Sequence, residues 1–324
     1  MRDFRNLAEP WLERIIRIPG AKSAARQLAY CVTRSKLITT KNRARVFNLL
    51  AQRTSDAAAL DTSVPIPERA GLAINLRLEL SDELSRLWYF FGYDHYEIPV
   101  RKVLAALVEE LPSDGSSQIL DVGGNLGYFT LYLGALAKAD RKGHVHSFEP
   151  SPRVFQLLKR NLSLNPGLPV TLNEAAVSDV VGRSTLFLAH EELGHSSASL
   201  VAGAVEQVGG VEVETLTLDG YARRLGDKPV RLLKMDCEGV ETKVLAGMTA
   251  TLERWSPDIV LEILPRYPTM VAELAALPFF ARYRKFLITE VGLIERETIE
   301  PTYEDRDWLF SIDPPARLIR HARA

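Results

Sequence analysis

Ile119-Leu120-Asp121-Val122-Gly123-Gly124-Asn125-Leu126-Gly127-Tyr128-Phe129 is the stretch that decides the fold. An apolar strand ends in an acid, enters a glycine-rich turn and continues into a helix predicted over residues 128–139. Downstream, Val145-His146-Ser147-Phe148 forms a second apolar run that ends in Glu149-Pro150. Two neighbouring parallel strands with this layout place a turn and an acid where α/β sheets hold nucleotide-type ligands.

Outward from that pair, strands and helices alternate, which predicts an α/β fold with a mostly parallel sheet and helices on both faces. Ser151 is a good N-cap residue and Pro152 suits the first helical position, so a helix is predicted to about residue 164. A third strand starts at Val170 and ends near Ala175-Ala176-Val177-Ser178. Two β-rich runs follow, 184–188 and 211–218, separated by a small-residue loop. Residues 230–235 form a fourth strand ending in Asp236-Cys237-Glu238-Gly239. One helix is predicted over 241–254, then strands over 259–263, 285–289 and 308–312. Upstream, 72–80 alternates as a strand or hairpin would, an aromatic cluster spans 88–97, and 99–111 has helical spacing.

The chain of 324 residues holds one large domain plus an appendage. Its net charge is -1, yet residues 1–70 carry 13 Lys and Arg against 6 Asp and Glu, a balance of +7, leaving -8 on the remainder. Residues 1–70 therefore read as a basic helical N-terminal extension that ends at the break Val64-Pro65-Ile66-Pro67, and 71–324 as the main domain. The arm could dock on the acidic domain, contact a second copy in a homo-oligomer, or lie on an anionic membrane surface. The acidic balance of the main domain argues against a nucleic-acid partner. Two cysteines in no ligand-spaced cluster, no long apolar run and no signal peptide predict a reduced, cytoplasmic protein.

The ligand class follows from the turn. A dinucleotide fingerprint starting at Gly123 needs glycines where Asn125 and Tyr128 stand, so it fails. Asp121 at the entrance opposes a pyrophosphate and suits a cation. S-adenosyl-L-methionine, with a sulfonium, an ammonium and a ribose diol but no phosphate, fits better than NAD.

Several pieces together resemble the FkbM family of S-adenosylmethionine-dependent methyltransferases. They are the 121–130 stretch, Phe148-Glu149-Pro150-Ser151-Pro152, Asn161 through Asn165, Ala175-Ala176-Val177-Ser178-Asp179, Thr217-Leu218-Asp219 and Leu233-Lys234-Met235-Asp236-Cys237-Glu238-Gly239-Val240-Glu241. The resemblance spans roughly 85–290 and leaves the first seventy residues untouched. Gly124 departs from it, since the family more often has alanine there, and a glycine is expected merely to loosen the turn. The resemblance implies a Rossmann-like class I methyltransferase: a seven-stranded sheet whose last strand is antiparallel, and methyl transfer to a hydroxyl oxygen, often on a sugar or natural-product scaffold.

Within that frame Glu149 is expected to hold the ribose, and Asp121, Gly123, Asn125 and Gly127 to cradle the methionine part. Tyr128 and Phe129 would wall the site, with plain core packing as the alternative for Phe129. Ala176 and Val177 would flank the adenine. On the acceptor side, Asp236 and Glu238 are two residues apart and, on a strand, would share a face and raise each other's proton affinity. One would serve as base and the other bind donor amine or acceptor hydroxyl; Glu238 as a helix cap and Asp236 as a buried acceptor are the alternatives. Glu262 is a third candidate, and His195 a fourth, as base or pocket residue. His190 and His195 form a poor metal signature and read as solvent-exposed, so no metal is expected. A non-catalytic donor-binding scaffold and a nucleic-acid methyltransferase are the rival functions.

Overall fold

A computed structural model of the chain describes residues 59–79, 85, 88–89, 92–94, 97–189, 198–200 and 207–319. Its centre is an eight-stranded sheet. Strands β3 (Ser117–Val122), β4 (Gly143–Phe148) and β5 (Val170–Asn173) run parallel on one side, and β10 (Val230–Met235) and β11 (Asp258–Glu262) run parallel on the other. Beyond them β14 (Asp307–Ser311) is antiparallel and separates β11 from β12 (Arg284–Thr289), which carries β13 (Gly292–Arg296) at the edge. The last strand of the chain therefore runs against the other six of the expected seven, and β13 is an eighth strand that runs in the same direction as β14.

Side-chain alternation sorts the sheet into two cores. Ile119, Val145, Leu232, Val260 and Leu309 face α1 (Ile98–Glu110) and α2 (Tyr128–Ala139). Leu120, Val122, Phe148, Leu233, Ile259 and Phe310 face α4 (Leu218–Arg224), α5 (Glu241–Ala246), α6 (Thr249–Trp255) and α7 (Met270–Ala276). Strand β3 is buried along its whole length, as expected of a central parallel strand covered on both sides.

The stretch assigned to the basic arm does not end at its proline-flanked break. Strands β1 (Leu60–Pro65) and β2 (Ala73–Leu78) pair antiparallel, and that break is the start of the turn between them. Val64, Ile74, Leu76 and Leu78 join the core of α1 and α2. Two asparagines on α3 (Pro152–Ser163) and just beyond it pair with the backbone of β2. Asn161 Oδ1 accepts the Arg77 N–H at 2.7 Å, and Asn165 Oδ1 accepts the Asn75 N–H at 2.8 Å. Residues 1–58 lie outside the described part, and with them most of the predicted extension.

Three further elements differ from the sequence reading. The third strand stops at Asn173, and β6 (Ala176–Val177) joins β7 (Gly182–Ala189), β8 (Ala198–Ser199) and β9 (Gln207–Leu216) in a separate four-stranded sheet. The helix predicted over 241–254 is two helices, because Asp219 caps the second. Its carboxylate accepts the N–H groups of Ala250 at 2.9 Å and Thr251 at 2.8 Å. Ser151 stands at the N-cap of α3 but makes no side-chain cap bond. No helix among the described residues is long and apolar enough to cross a membrane.

Candidate active site

The turn after β3 is shaped by contacts that leave no room for side chains. Gly123 has φ +85°, and a methyl group on it would collide with the Asp236 backbone carbonyl. Gly127, at φ +102°, begins α2 against Leu158 and Leu131. Gly123 and Gly124 both donate N–H bonds to the Phe148 carbonyl at 3.0 Å, which ties the turn to the end of β4. Asn125, at φ 48°, donates its N–H to Glu149 Oε2 at 2.9 Å, while Glu149 Oε1 accepts the Ser151 N–H at 2.8 Å. Each oxygen of this fixed carboxylate keeps acceptor capacity for another donor. Burial pushes the Glu149 carboxyl up to about 7, although both N–H bonds oppose that rise.

Asp121 lies beneath the turn and not in it. It is 0 % exposed, and Thr130 Oγ1 donates to its Oδ2 at 2.6 Å. In the pairing of β3 with β10 it stands opposite Lys234, whose Nζ is 3.9 Å from Asp121 Oδ1, 3.8 Å from Asp236 Oδ2 and 4.7 Å from the centre of the Phe129 ring. Asp121, expected to offset the charge of a bound donor, faces a lysine of the protein. Burial alone would lower the Lys234 ammonium, but Asp236 and Asp121 outweigh it and hold the group above its ordinary range.

Asp236 and Glu238 lie beyond the end of β10, so their proximity comes from a loop and not from strand pleating. Glu238 has φ 56°, ion-pairs with Arg266, and its carbonyl accepts from Ser199 Oγ at 2.7 Å. The helix that follows has no side-chain cap, so Glu238 does not take the capping role considered for it; Glu241, at the first helical position, instead accepts the N–H groups of Cys237 and Gly239 in the loop at 3.0 Å. Glu262, at the end of β11, meets Arg306 Nε at 3.1 Å. Burial pushes its carboxyl up to about 8, and the charge of Asp236 adds to the rise. Burial and Asp236 likewise raise Glu238. The charge of Asp236 therefore bears on both Glu238 and Glu262. Among the described residues no three His, Cys, Asp or Glu side chains are placed to hold a metal ion.

A turn closely packed at its glycines, a fixed acid at the end of β4 and a cluster of acids past β10 and β11 lie together on the carboxyl side of the sheet. The Methyltransferase FkbM domain matches residues 121–294, more than half of the chain and all of this site. The chain belongs to the FkbM methyltransferase family. Among its relatives, Methyltransferase 1 of Beauveria bassiana is 28% identical over 173 residues, covering 47% of this chain and 66% of its own length. Hexuronic acid methyltransferase AglP of Haloferax volcanii is 26% identical over 209 residues, covering 62% and 77%. The 2-O-methyltransferase NoeI of Sinorhizobium fredii is 29% identical over 151 residues, covering 42% and 59%. The crystal structure of Methyltransferase FkbM from Methylobacillus flagellatus KT is 16% identical, covers 66% of this chain and 58% of its own, and has a TM-score of 0.39. The chain thus spans about two thirds of the length of the first of these relatives.

Not every residue assigned from the FkbM pattern reaches the crevice. Tyr128 is packed among Trp88, Tyr93 and Phe129, with ring centroids 4.8, 4.8 and 4.6 Å away, so its ring belongs to the aromatic core. Phe129 is buried too, but carries Lys234 on its face. Ala176 packs with Leu186 and Val213 in the small sheet and Val177 in the main core, while their backbone pairs with β9. His195, like His190 and Tyr96, lies outside the described residues. Sequence reading passed over Lys234, Arg266, Arg306 and Glu241. Lys234 had a signal: with Arg231 it is one of two charges in a central strand that is otherwise apolar, and it is the buried one, where an unpaired cation is not tolerated. The arginines lie in loops distant in sequence from the acids they meet, and nothing local marks them.

Proposed function

We propose that this FkbM chain is an S-adenosyl-L-methionine-dependent O-methyltransferase acting on a hydroxyl of a small molecule or glycan in the cytoplasm. Glu149 carries the donor assignment: it is held at the end of β4 by the N–H groups of Asn125 and Ser151, beside a turn whose glycines have no room for a side chain. A ribose diol is the ligand group that such a carboxylate accepts from. When bound, S-adenosyl-L-methionine supplies an already activated methyl group. The chain's task is alignment, exclusion of water and removal of the acceptor's proton. Glu149 and the backbone at 123–127 hold the donor, and Asp121 serves this arrangement through Lys234. Asp236, one third exposed and with its own carbonyl against Gly123, joins the donor turn to the acids Glu238 and Glu262. It is the residue placed to take the hydroxyl proton. The relatives named as a hexuronic acid methyltransferase and a 2-O-methyltransferase support a sugar-like acceptor.

Calorimetry with S-adenosylhomocysteine tests the donor site. Wild type is expected to bind, and Glu149→Ala to bind at least about tenfold more weakly, a loss of roughly 1.4 kcal/mol, while its far-ultraviolet circular dichroism stays that of a folded protein. Equal affinities remove Glu149 from the site. No binding by wild type removes the proposal. Release of S-adenosylhomocysteine across a panel of sugars and natural products then identifies the acceptor.

A further inference from the structure

Lys234 is buried, and no carboxylate lies within hydrogen-bonding distance of its ammonium. Its Nζ sits 3.9 Å from Asp121 on one side and 3.8 Å from Asp236 on the other, above the face of Phe129 at 4.7 Å. Asp121 Oδ1, fully buried, has no hydrogen-bond partner, so the lysine is its nearest compensation. A buried ion pair of this kind contributes little net stability, because desolvation offsets the attraction. Something other than stability therefore accounts for a lysine placed one strand pleat below Asp236.

The surroundings of Asp236 supply the reason. Asp121 faces it from β3, Glu238 and Cys237 from its own loop, Glu241 from α5, Glu262 from β11 and Asp307 from β14. Arg266 and Arg306 pair with Glu238 and Glu262. The cation within 4 Å of Asp236 among the described residues is Lys234. Without it, five carboxylates would bear on a sixth.

We propose that Lys234 is a positioning residue: braced from below by Asp121 and Phe129, it holds the Asp236 carboxylate in place as the cation beside it among the surrounding acids. This rests on the reading of Asp236 as the acid that takes the acceptor's proton. It also gives the acid at the turn entrance a new role, as an anchor for the lysine and not a ligand of the donor.

The test needs no acceptor. Protein labelled with carbon-13 at aspartate carboxyls is titrated by NMR, with Asp236→Asn identifying the Asp236 resonance. In Lys234→Met the midpoint of that resonance is expected to move up by about one pH unit or more, because an opposite charge 4–6 Å away shifts a carboxyl by ~1–3 units. Lys234→Arg is expected to return it close to the wild-type value. Should Lys234→Met not fold, Lys234→Met combined with Asp121→Asn removes both buried charges, leaves an acceptor for Thr130, and should show a smaller move in the same direction, because one of the acids bearing on Asp236 is lost with the lysine. An unmoved midpoint in the folded variant overturns the proposal. So does loss of S-adenosylhomocysteine binding with an unmoved midpoint, which would make Lys234 a donor ligand. Failure of the broader reading looks different: wild type then binds no S-adenosylhomocysteine, wherever the Asp236 midpoint lies.

Discussion

At Gly124 the backbone passes so close to β4 that a methyl group would collide with Ser147 Oγ and stand 3.1 Å from Thr130 Oγ1. Those two hydroxyls bond each other at 2.9 Å, and Thr130 passes the chain on to Asp121. Gly124 is therefore required by its neighbours in this chain, and the expectation that it merely loosens the turn is corrected. Gly124→Ala should destabilise the protein by about 1–3 kcal/mol through overpacking. Adding Ser147→Ala should recover much of that loss, giving a coupling on the order of 1 kcal/mol in a double-mutant cycle. Additive effects, measured by urea unfolding, would show that the two sites do not touch. Local sequence could not have revealed this, because Ser147 lies on another strand and only the register of β3 with β4 brings them together. Glu149 was legible for the opposite reason, since an acid at the end of a strand beside a glycine turn needs no distant partner to be placed. Asp121 shows both limits. Its position at the turn was plain, while its pairing with Lys234 depended on the alignment of β3 with β10.

Among the elements, the hairpin β1–β2 lies upstream of the family domain yet reaches the donor turn through one side chain. Asn161 accepts from the Arg77 N–H and donates from Nδ2 to the Leu126 carbonyl at 2.9 Å. Asn165 serves only the hairpin and α3, bonding Asn75 N, Asn75 O and Asn161 O. The two asparagines thus separate stability from function. Asn165→Ala and Asn161→Ala should each cost about 1–3 kcal/mol by leaving buried backbone groups unpaired. Only Asn161→Ala should also weaken S-adenosylhomocysteine binding, by several-fold. Thermal melts and calorimetry on both variants decide it; equal affinities would mean that the turn does not depend on the hairpin. Periodicity made the parallel strands and most helices visible, because their apolar residues repeat along the chain. It did not show β13, the early end of β5 or the division of the helix after Glu241. The last two are set by partners remote in sequence, β9 for β6 and Asp219 for α6, whereas β13 closes a tight hairpin with its chain neighbour β12.

At the scale of the whole molecule, the site concentrates acids that burial leaves reluctant to ionise. Burial pushes Glu149 and Glu241 up to about 7 and Glu262 up to about 8. In the unfolded chain such carboxyls titrate near ~4. Between pH 6.5 and 8 the folded protein therefore holds protons that the unfolded chain has already lost. Stability falls with rising pH wherever the native state binds the more protons, so the apo protein should become less stable across this window. His146 acts in the opposite sense, since burial lowers it to about 4 and the unfolded chain then binds its proton first. That effect is confined below about pH 6.5, where an unfolded histidine titrates, and does not cancel the acids above it. The melting temperature should thus drop by a few degrees between pH 6.5 and 8, about 2–4 °C for each kcal/mol lost. Saturating S-adenosylhomocysteine should reduce the drop, because a ligand that donates hydrogen bonds to Glu149 favours its charged form and removes that residue's share. Scanning calorimetry with and without the ligand distinguishes the cases. A melting temperature that rises from pH 6.5 to 8 would mean these acids are already charged in the apo protein. A drop unchanged by bound ligand would detach Glu149 from the donor.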